Sequence, residues 1–300
     1  MKPGLFRVFF RLLRVKQWTK NVVVLSAFVF ALGDSAQNLS AWLFWKVLLA
    51  ALSFCFVSSA IYIMNDWRDR AQDALHPTKK FRPIAAGQVG GKTALLTALV
   101  LLAAGLFGAW RLRTEPPLLL ATVGGYVLLQ IAYTFWLKRI PLVDVMVIAI
   151  GFVLRAIAGS VAVAVDISPW LILCAMWLAL FLGLCKRRHE KLNLAGTGTR
   201  PAIDAYSSKL LDILIALTAG TVLTTYSIYT LWPDTVAKFG TRWLGVTIPF
   251  VVFGIFRYLD LVYRLDGGDR PEHILLTDVP LIIDVVLFGA SALCVFFWPF

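Results

Sequence analysis

Asn65, Asp66, Asp69 and Asp73 stand at the end of a long apolar run, 42–64, and they are the residues of this chain best suited to chemistry. On a helix the three aspartates fall at spacings of three and four, so they line one face. Like charges on one stripe repel, and a helix gains nothing from them without a cation between them. A hard cation such as Mg²⁺ takes oxygen ligands and commonly joins one or two carboxylates to substrate phosphates. Asp66, Asp69 and Asp73 are therefore the candidate metal ligands and catalytic residues, with Asn65 as a neutral donor or acceptor beside them. Lys79, Lys80 and Arg82 follow at once, and Lys79 with Arg82 would suit phosphate oxygens that the metal leaves uncovered. A solvated basic loop explains those cations equally well, but it leaves the carboxylates without a purpose. His76, beside Pro77 and with no second histidine at ligand spacing, reads as a turn residue as readily as a catalytic one.

Three further groups of polar residues stand out. Lys186-Arg187-Arg188-His189-Glu190, with Tyr206 and Ser207 further on, forms a basic cluster. Faced by the aspartates, it would make a receptor for a metal–diphosphate complex. Anchoring at the membrane surface accounts for its bases but not for Glu190. Arg14 to Asn21 is a second group, and ordinary anchoring ahead of a span explains Lys20 and Trp18 better than substrate binding does, with Asn21 the odd member. The third is Arg155, alone in an apolar segment where a cation costs from about 3 kcal/mol upward. It requires a polar cavity or a carboxylate; Asp144, eleven residues earlier, is on a similar helical face, so a structural ion pair and substrate binding stand level.

The elements that carry these residues are membrane spans. Hydrophobic residues make up 59% of the chain and charged residues 15%, far from the balance of a soluble domain. Nine apolar segments, at about 22–32, 42–64, 93–110, 118–136, 142–165, 170–185, 210–231, 243–256 and 279–297, mostly approach the ~20 residues that cross a bilayer. The expected class is all-α, a polytopic membrane protein of nine transmembrane helices forming a single domain over 1–300. The net charge of +12 does not mark a nucleic-acid binder, because 23 of the 29 basic residues lie in alternate connections. By the positive-inside rule the N-terminus and the aspartate stripe are cytoplasmic. A cleaved secretory signal at the first segment is the weaker reading, since the basic region before it is long and holds Trp18 and Asn21. Cys55, Cys174, Cys185 and Cys294 all sit in apolar segments without paired spacing, as small core residues.

The motifs together resemble the UbiA superfamily of intramembrane prenyltransferases, whose Asn-Asp-x-x-Asp-x-x-x-Asp pattern is matched by Asn65, Asp66, Asp69 and Asp73. The likeness is stronger to one branch, the decaprenyl-phosphate phosphoribosyltransferases. It rests on Gln17-Trp18-x-Lys20-Asn21, the His76–Gly87 run, Gly151-Phe152-Val153-Leu154-Arg155, Lys186-Arg187-Arg188-x-Glu190, Tyr206-Ser207 and Gly267-Gly268-Asp269-x-Pro271-Glu272. A second aspartate-rich motif, typical of members that use prenyl diphosphates, is replaced by Lys186–Glu190, with Asp204 and Asp212 at no matching spacing. The resemblance implies a UbiA-like bundle in a bacterial cytoplasmic (inner) membrane and a Mg²⁺-dependent pentosyltransferase. It would move 5-phosphoribose from phosphoribosyl diphosphate (PRPP) to a polyprenyl phosphate, a precursor step for arabinose-containing envelope glycans. Asp66, Asp69 and Asp73 would hold Mg²⁺; Lys79, Arg82, Lys186 and Arg187 would bind the sugar's phosphates, with Asn65, Glu190 and Tyr206 beside them. Lys20, Asn21 and Arg155 would receive the lipid phosphate. Membrane lipid is the surrounding partner, nucleic acid is not expected, and a homo-oligomer is allowed without being required. A prenyltransferase acting on an aromatic or other acceptor, and a transporter or lipid-binding scaffold, are the alternative readings.

Overall fold

The computed structural model describes residues 4–32, 41–75, 78–112, 114, 117–166, 168–194, 201–264, 274 and 277–297. All regular structure among them is helical. Long helices are α3 (Ala41–Arg68), α5 (Gly91–Arg111), α6 (Leu118–Phe135), α7 (Val143–Val163), α8 (Pro169–Leu194), α10 (Ser208–Leu231), α12 (Ile248–Arg264) and α13 (Val279–Phe297). Shorter ones are α1 (Leu5–Leu13), α2 (Val22–Leu32), α4 (Arg70–Leu75), α9 (Pro201–Ala205) and α11 (Pro233–Phe239). Four 3₁₀ turns join them: η1 (Val15–Asn21), η2 (Lys79–Phe81), η3 (Leu137–Arg139) and η4 (Trp243–Thr247). Among the described residues eight helices are long and apolar enough to cross a bilayer, so the chain is a multi-pass membrane protein.

The first apolar segment acquires its length from polar neighbours. α2 has 11 residues and η1 has seven; at helical rises of about 1.5 and 2.0 Å they cover ~30 Å together, the thickness of a hydrocarbon core. η1 runs along α3: Trp18 Nε1–H donates to Ser59 Oγ at 3.0 Å, and Asn21 Nδ2–H reaches Cys55 Sγ at 3.2 Å. Trp18 to Asn21 therefore lie beside α3 rather than ahead of a span, contrary to the anchoring expectation. Trp18 and Asn21 find polar partners on α3, which lets them leave the water boundary.

Another boundary also moves. The segment expected to end at Cys185 continues as helix to Leu194, so Lys186–Glu190 is not a loop but lies within the last third of α8. Lysine, arginine and glutamate are good helix formers, and an Arg187–Glu190 pair one turn apart supports the extension.

α7 lies between two apolar clusters. Ala158, Ala162 and Val163 pack with α2, α3 and α6, whereas Val145 and Ala149 pack with α8, α10 and α12. Gly159 permits the closest approach: a Cβ there would lie 2.2 Å from Val24 O on α2. Only glycine fits that contact, which brings Asn21 against α7.

Candidate active site

The aspartates ride on one nearly continuous helical path. Asp69 N–H donates to Asn65 O at 2.9 Å and Asp73 N–H to Asp69 O at 2.8 Å, across the break between α3 and α4. Asp66 and Asp73 are each 4% exposed. Their repulsion is answered by the chain's own cations, which the spacing alone did not anticipate. Arg14, at the elbow between α1 and η1, binds Asp66 through two nitrogens, its Nε to Oδ2 at 3.1 Å. Arg82 Nη1 sits between two carboxylates, 3.0 Å from Asp66 Oδ1 and 2.5 Å from Asp73 Oδ2. Lys138 on η3 donates to Asp69 Oδ2 at 2.7 Å and Oδ1 at 2.9 Å, and to Asn65 Oδ1 at 3.2 Å. Three carboxylates thus meet three cations carried by three separate connections.

Arg82 is placed by a compact turn. Its own N–H bonds Lys79 O at 2.9 Å, Ala86 N–H bonds Arg82 O at 2.8 Å, and Gln88 and Val89 both donate to Pro83 O. Gly87, at φ +68°, supplies the left-handed step that closes it. Lys79 opens this turn, half-buried, so both members of the expected phosphate pair sit on one rigid unit.

A second polar network adjoins the first through α6 and η3. Arg187, 2% exposed, places Nε 2.6 Å from Asp144 Oδ2 and Nη1 on Glu190. The Nε–H is not aligned on the Asp144 oxygen, so that contact is an ion pair rather than a hydrogen bond. Tyr206 O–H donates to Asp144 Oδ1 at 2.7 Å and accepts from Leu142 N–H at 2.6 Å. Burial, together with the Asp144 bond, raises the phenol above its ordinary value, so Tyr206 stays protonated at neutral pH. Leu142 stands at φ +67°, a strained setting for a branched side chain. The Tyr206 bond secures that turn, and the turn sets where η3 and Lys138 lie. Lys186 precedes Arg187 on α8, half-buried.

Arg155 departs from the expected partner. Its Nε–H donates to Asn21 Oδ1 at 2.7 Å, Nη1 to Gly151 O at 2.8 Å and Nη2 to Tyr126 O–H at 2.8 Å. Asp144, proposed for it on helical periodicity, pairs with Arg187 instead. Eleven residues are about 16 Å along a helix, and a long side chain reaches back only about one turn. Among the described residues no carboxylate pairs with Arg155; Tyr126, Phe152 and Phe54 rings lie 4.6, 5.3 and 5.9 Å from its guanidinium carbon. Asn21 and Cys55 lie at the same level, eleven residues before Asp66 on α3, so the cluster is about 16 Å below the aspartates.

Two of the three aspartates fit a divalent cation. Asp66 and Asp73 converge on one point, occupied by Arg82 Nη1, and offer the hard oxygen ligands that Mg²⁺ takes. Asp69 turns away to Lys138, and among the described residues no three acidic, histidine or cysteine side chains gather in ligand geometry. Two carboxylates fit an ion that completes its shell with water and substrate phosphate. The pairing of Arg14 and Lys138 with the aspartates escaped sequence reading because each looks like an ordinary boundary cation. His76 and the Gly267–Glu272 motif fall outside the described residues.

The model of the UbiA prenyltransferase family matches residues 22–275. A decaprenyl-phosphate phosphoribosyltransferase of Corynebacterium glutamicum is 37% identical over 274 residues, covering 89% of this chain and 80% of that protein. One from Mycobacterium tuberculosis is 36% identical over 272 residues, covering 89% and 86%. Among solved structures, a UbiA homolog from Archaeoglobus fulgidus bound to GPP and Mg²⁺ superposes with a TM-score of 0.73 at 20% identity, covering 96% of this chain and 99% of that one. A helical membrane bundle with an aspartate-bearing helix end, matched by the family model over most of its length, leaves one assignment: the chain belongs to the UbiA prenyltransferase family.

Proposed function

We propose that this protein is a transferase that moves 5-phosphoribose from phosphoribosyl diphosphate to a polyprenyl phosphate, releasing diphosphate. The observation that carries the reading is the likeness, over 89% of the chain, to decaprenyl-phosphate phosphoribosyltransferases. The site supports it chemically. A lipid phosphate is anionic near neutral pH, so its oxygen needs positioning rather than a general base. As that oxygen bonds to ribose carbon 1, the bond from carbon 1 to the diphosphate breaks, and the leaving group takes the electron pair.

Asp66 and Asp73 would hold Mg²⁺, with Asp69 and Asn65 presenting Lys138. A bound Mg²⁺ supplies charge stabilisation to the departing diphosphate. Arg82 and Arg14 already stand at those carboxylates, and by exchanging partners they would take phosphate oxygens together with Lys79 and Lys186. Arg187, Glu190 and Tyr206 would act from beneath, holding Asp144 and the turn that carries Lys138. Lys20 would meet the lipid phosphate. Arg155 and Asn21 lie about 16 Å below the aspartates, too deep for a phosphate that must touch carbon 1, and we assign them to the bundle's internal bracing.

The basic connections support a cytoplasmic aspartate end, where soluble sugar diphosphates are available, and the chain would work as one integral unit of a bacterial cytoplasmic membrane. The product would serve as a lipid-linked pentose donor for envelope glycans. Purified protein given labelled PRPP, polyprenyl phosphate and Mg²⁺ should yield lipid-linked label that disappears on chelation. Turnover of a prenyl diphosphate with no lipid-linked pentose would overturn this assignment.

A further inference from the structure

α1 is built with three distinct faces. Residues four apart share a face of a helix, and successive residues are 100° apart. Val8 and Leu12, 8% and 5% exposed, form the inward face, and Leu12 packs with Ile63, Ile84 and Ala94. Phe6 and Phe10 form the second, 76% and 44% exposed with ring centroids 4.6 Å apart. Arg7 and Arg11 form the third, and both are exposed. At nine residues, about 13 Å, α1 is too short to cross a bilayer. A helix that shows one face to protein, one of bare phenyl rings to its side and one of guanidinium groups to the other suits the bilayer surface.

Its attachments lead directly to the aspartates. The Arg11 guanidinium donates to the carbonyl of Phe81, and the residue after Phe81 is Arg82, which holds Asp66 and Asp73. The C-terminal end of α1 is Arg14, in the left-handed conformation at φ 52°, whose side chain binds Asp66. An arginine in that conformation costs roughly 1–2 kcal/mol, and the Asp66 pair helps to hold it. Phe81, 60% exposed, and Lys80 extend the phenyl and cation surface onto η2.

We infer that α1 lies on the bilayer surface at the aspartate end, with Phe6 and Phe10 among the acyl chains and Arg7 on the phosphates of anionic phospholipids. Through Arg11 and Arg14, this contact sets the position of the two arginines that hold Asp66 and Asp73. The occupant is the anionic headgroup layer of the surrounding membrane, favoured over a second protein copy by charge complementarity with the arginine face. The placement of α1 stands by itself; its effect on turnover rests on the transferase reading.

The test uses the full chain in nanodiscs of phosphatidylcholine, with or without phosphatidylglycerol, at fixed acceptor and Mg²⁺. A spin label at Phe6→Cys, in a Cys294→Ser background, should be more accessible to oxygen than to an aqueous nickel chelate. The KM for PRPP should fall about fivefold with phosphatidylglycerol, the weight of one basic residue at an anionic surface. Arg7→Gln should lose that response while keeping wild-type turnover in phosphatidylcholine. A label exposed to water, or shielded from both probes by a second copy, overturns the placement whatever donor the protein uses. An unchanged lipid response in Arg7→Gln overturns the coupling. Were a prenyl diphosphate the donor, the same lipid comparison would be made with it.

Discussion

The aspartate end and the Arg155 cluster solve opposite electrostatic problems. At the aspartate end three acids meet Arg14, Arg82 and Lys138, side-chain cations that arrive from three connections near the water boundary. Deep in the bundle, one cation is held by Asn21, Tyr126 and the Gly151 carbonyl, all neutral. Arg14 and Arg82 keep part of their surface exposed, so an incoming metal-bound anion can exchange with them, one charge pairing replacing another. A guanidinium fixed by neutral groups in a span has no comparable route, because each bond it releases leaves a buried polar atom unsatisfied. Exchange is what substrate binding requires, and fixity is what bracing requires.

This contrast is open to direct attack. Asp66→Asn should lower phosphoribosyl transfer by about 10²–10³-fold, as loss of a group stabilising transition-state charge does, in an assay corrected for the folded fraction because the variant also weakens the pairs to Arg14 and Arg82. An Asp66→Asn protein with near-wild-type turnover and Mg²⁺ dependence would remove the metal role. Arg155→Met should do the reverse, lowering stability by about 2 kcal/mol through the orphaned Asn21 oxygen and the lost packing. Its folded fraction should turn over at the wild-type order in a stability-corrected assay; loss of lipid-phosphate binding at unchanged stability would instead make Arg155 part of the acceptor site.

Tyr206→Phe sharpens the division between contact and support. It removes the hydrogen bonds to Asp144 and Leu142, worth about 1 kcal/mol together with the strain they restrain. If Tyr206 acts through the η3 turn, KM for PRPP should rise several-fold, and Lys138→Met should mask the effect in a double-mutant cycle. Independent, additive losses would argue against that route. The smallest effect belongs to Asp278, which Arg257 bonds through Nη2 at 2.8 Å and holds below the ordinary carboxylate value. Such a group stabilises the fold above its unfolded value and loses that contribution as pH falls through its lowered one. The acid limb of a thermal-midpoint series should therefore be shallower in Asp278→Asn, while the amide oxygen can still accept from Leu281 N–H as Asp278 Oδ1 does at 3.0 Å.

Much of the bundle was legible because long apolar runs leave few alternatives: α5, α6, α7, α10 and α13 begin and end within two residues of the hydropathy segments. η1 was not, since Lys16-Gln17-Trp18-Thr19-Lys20 resembles an anchor until Ser59 and Cys55 are seen to receive it. Nor was the end of α8, where charges mimic a loop but extend a helix. At the site, the aspartate stripe announced itself by type and spacing. Its partners did not: Arg14 is 52 residues from Asp66 and Lys138 is 69 from Asp69. Extending helical periodicity from Arg155 to Asp144 failed because sharing a face does not shorten the distance along the axis.

Hydrophobicity and charge are properties of segments, so the sequence alone settled the helical membrane class and where the acids fall on their helix. Pairing is a property of space. Only the folded bundle decided that Asp66 and Asp73 share Arg82, that Asp69 belongs to Lys138, and that Arg155 meets Asn21 and Tyr126 rather than Asp144. Each of those choices depends on which connections meet at one end of the helices and at what depth, and no local pattern contains that distance.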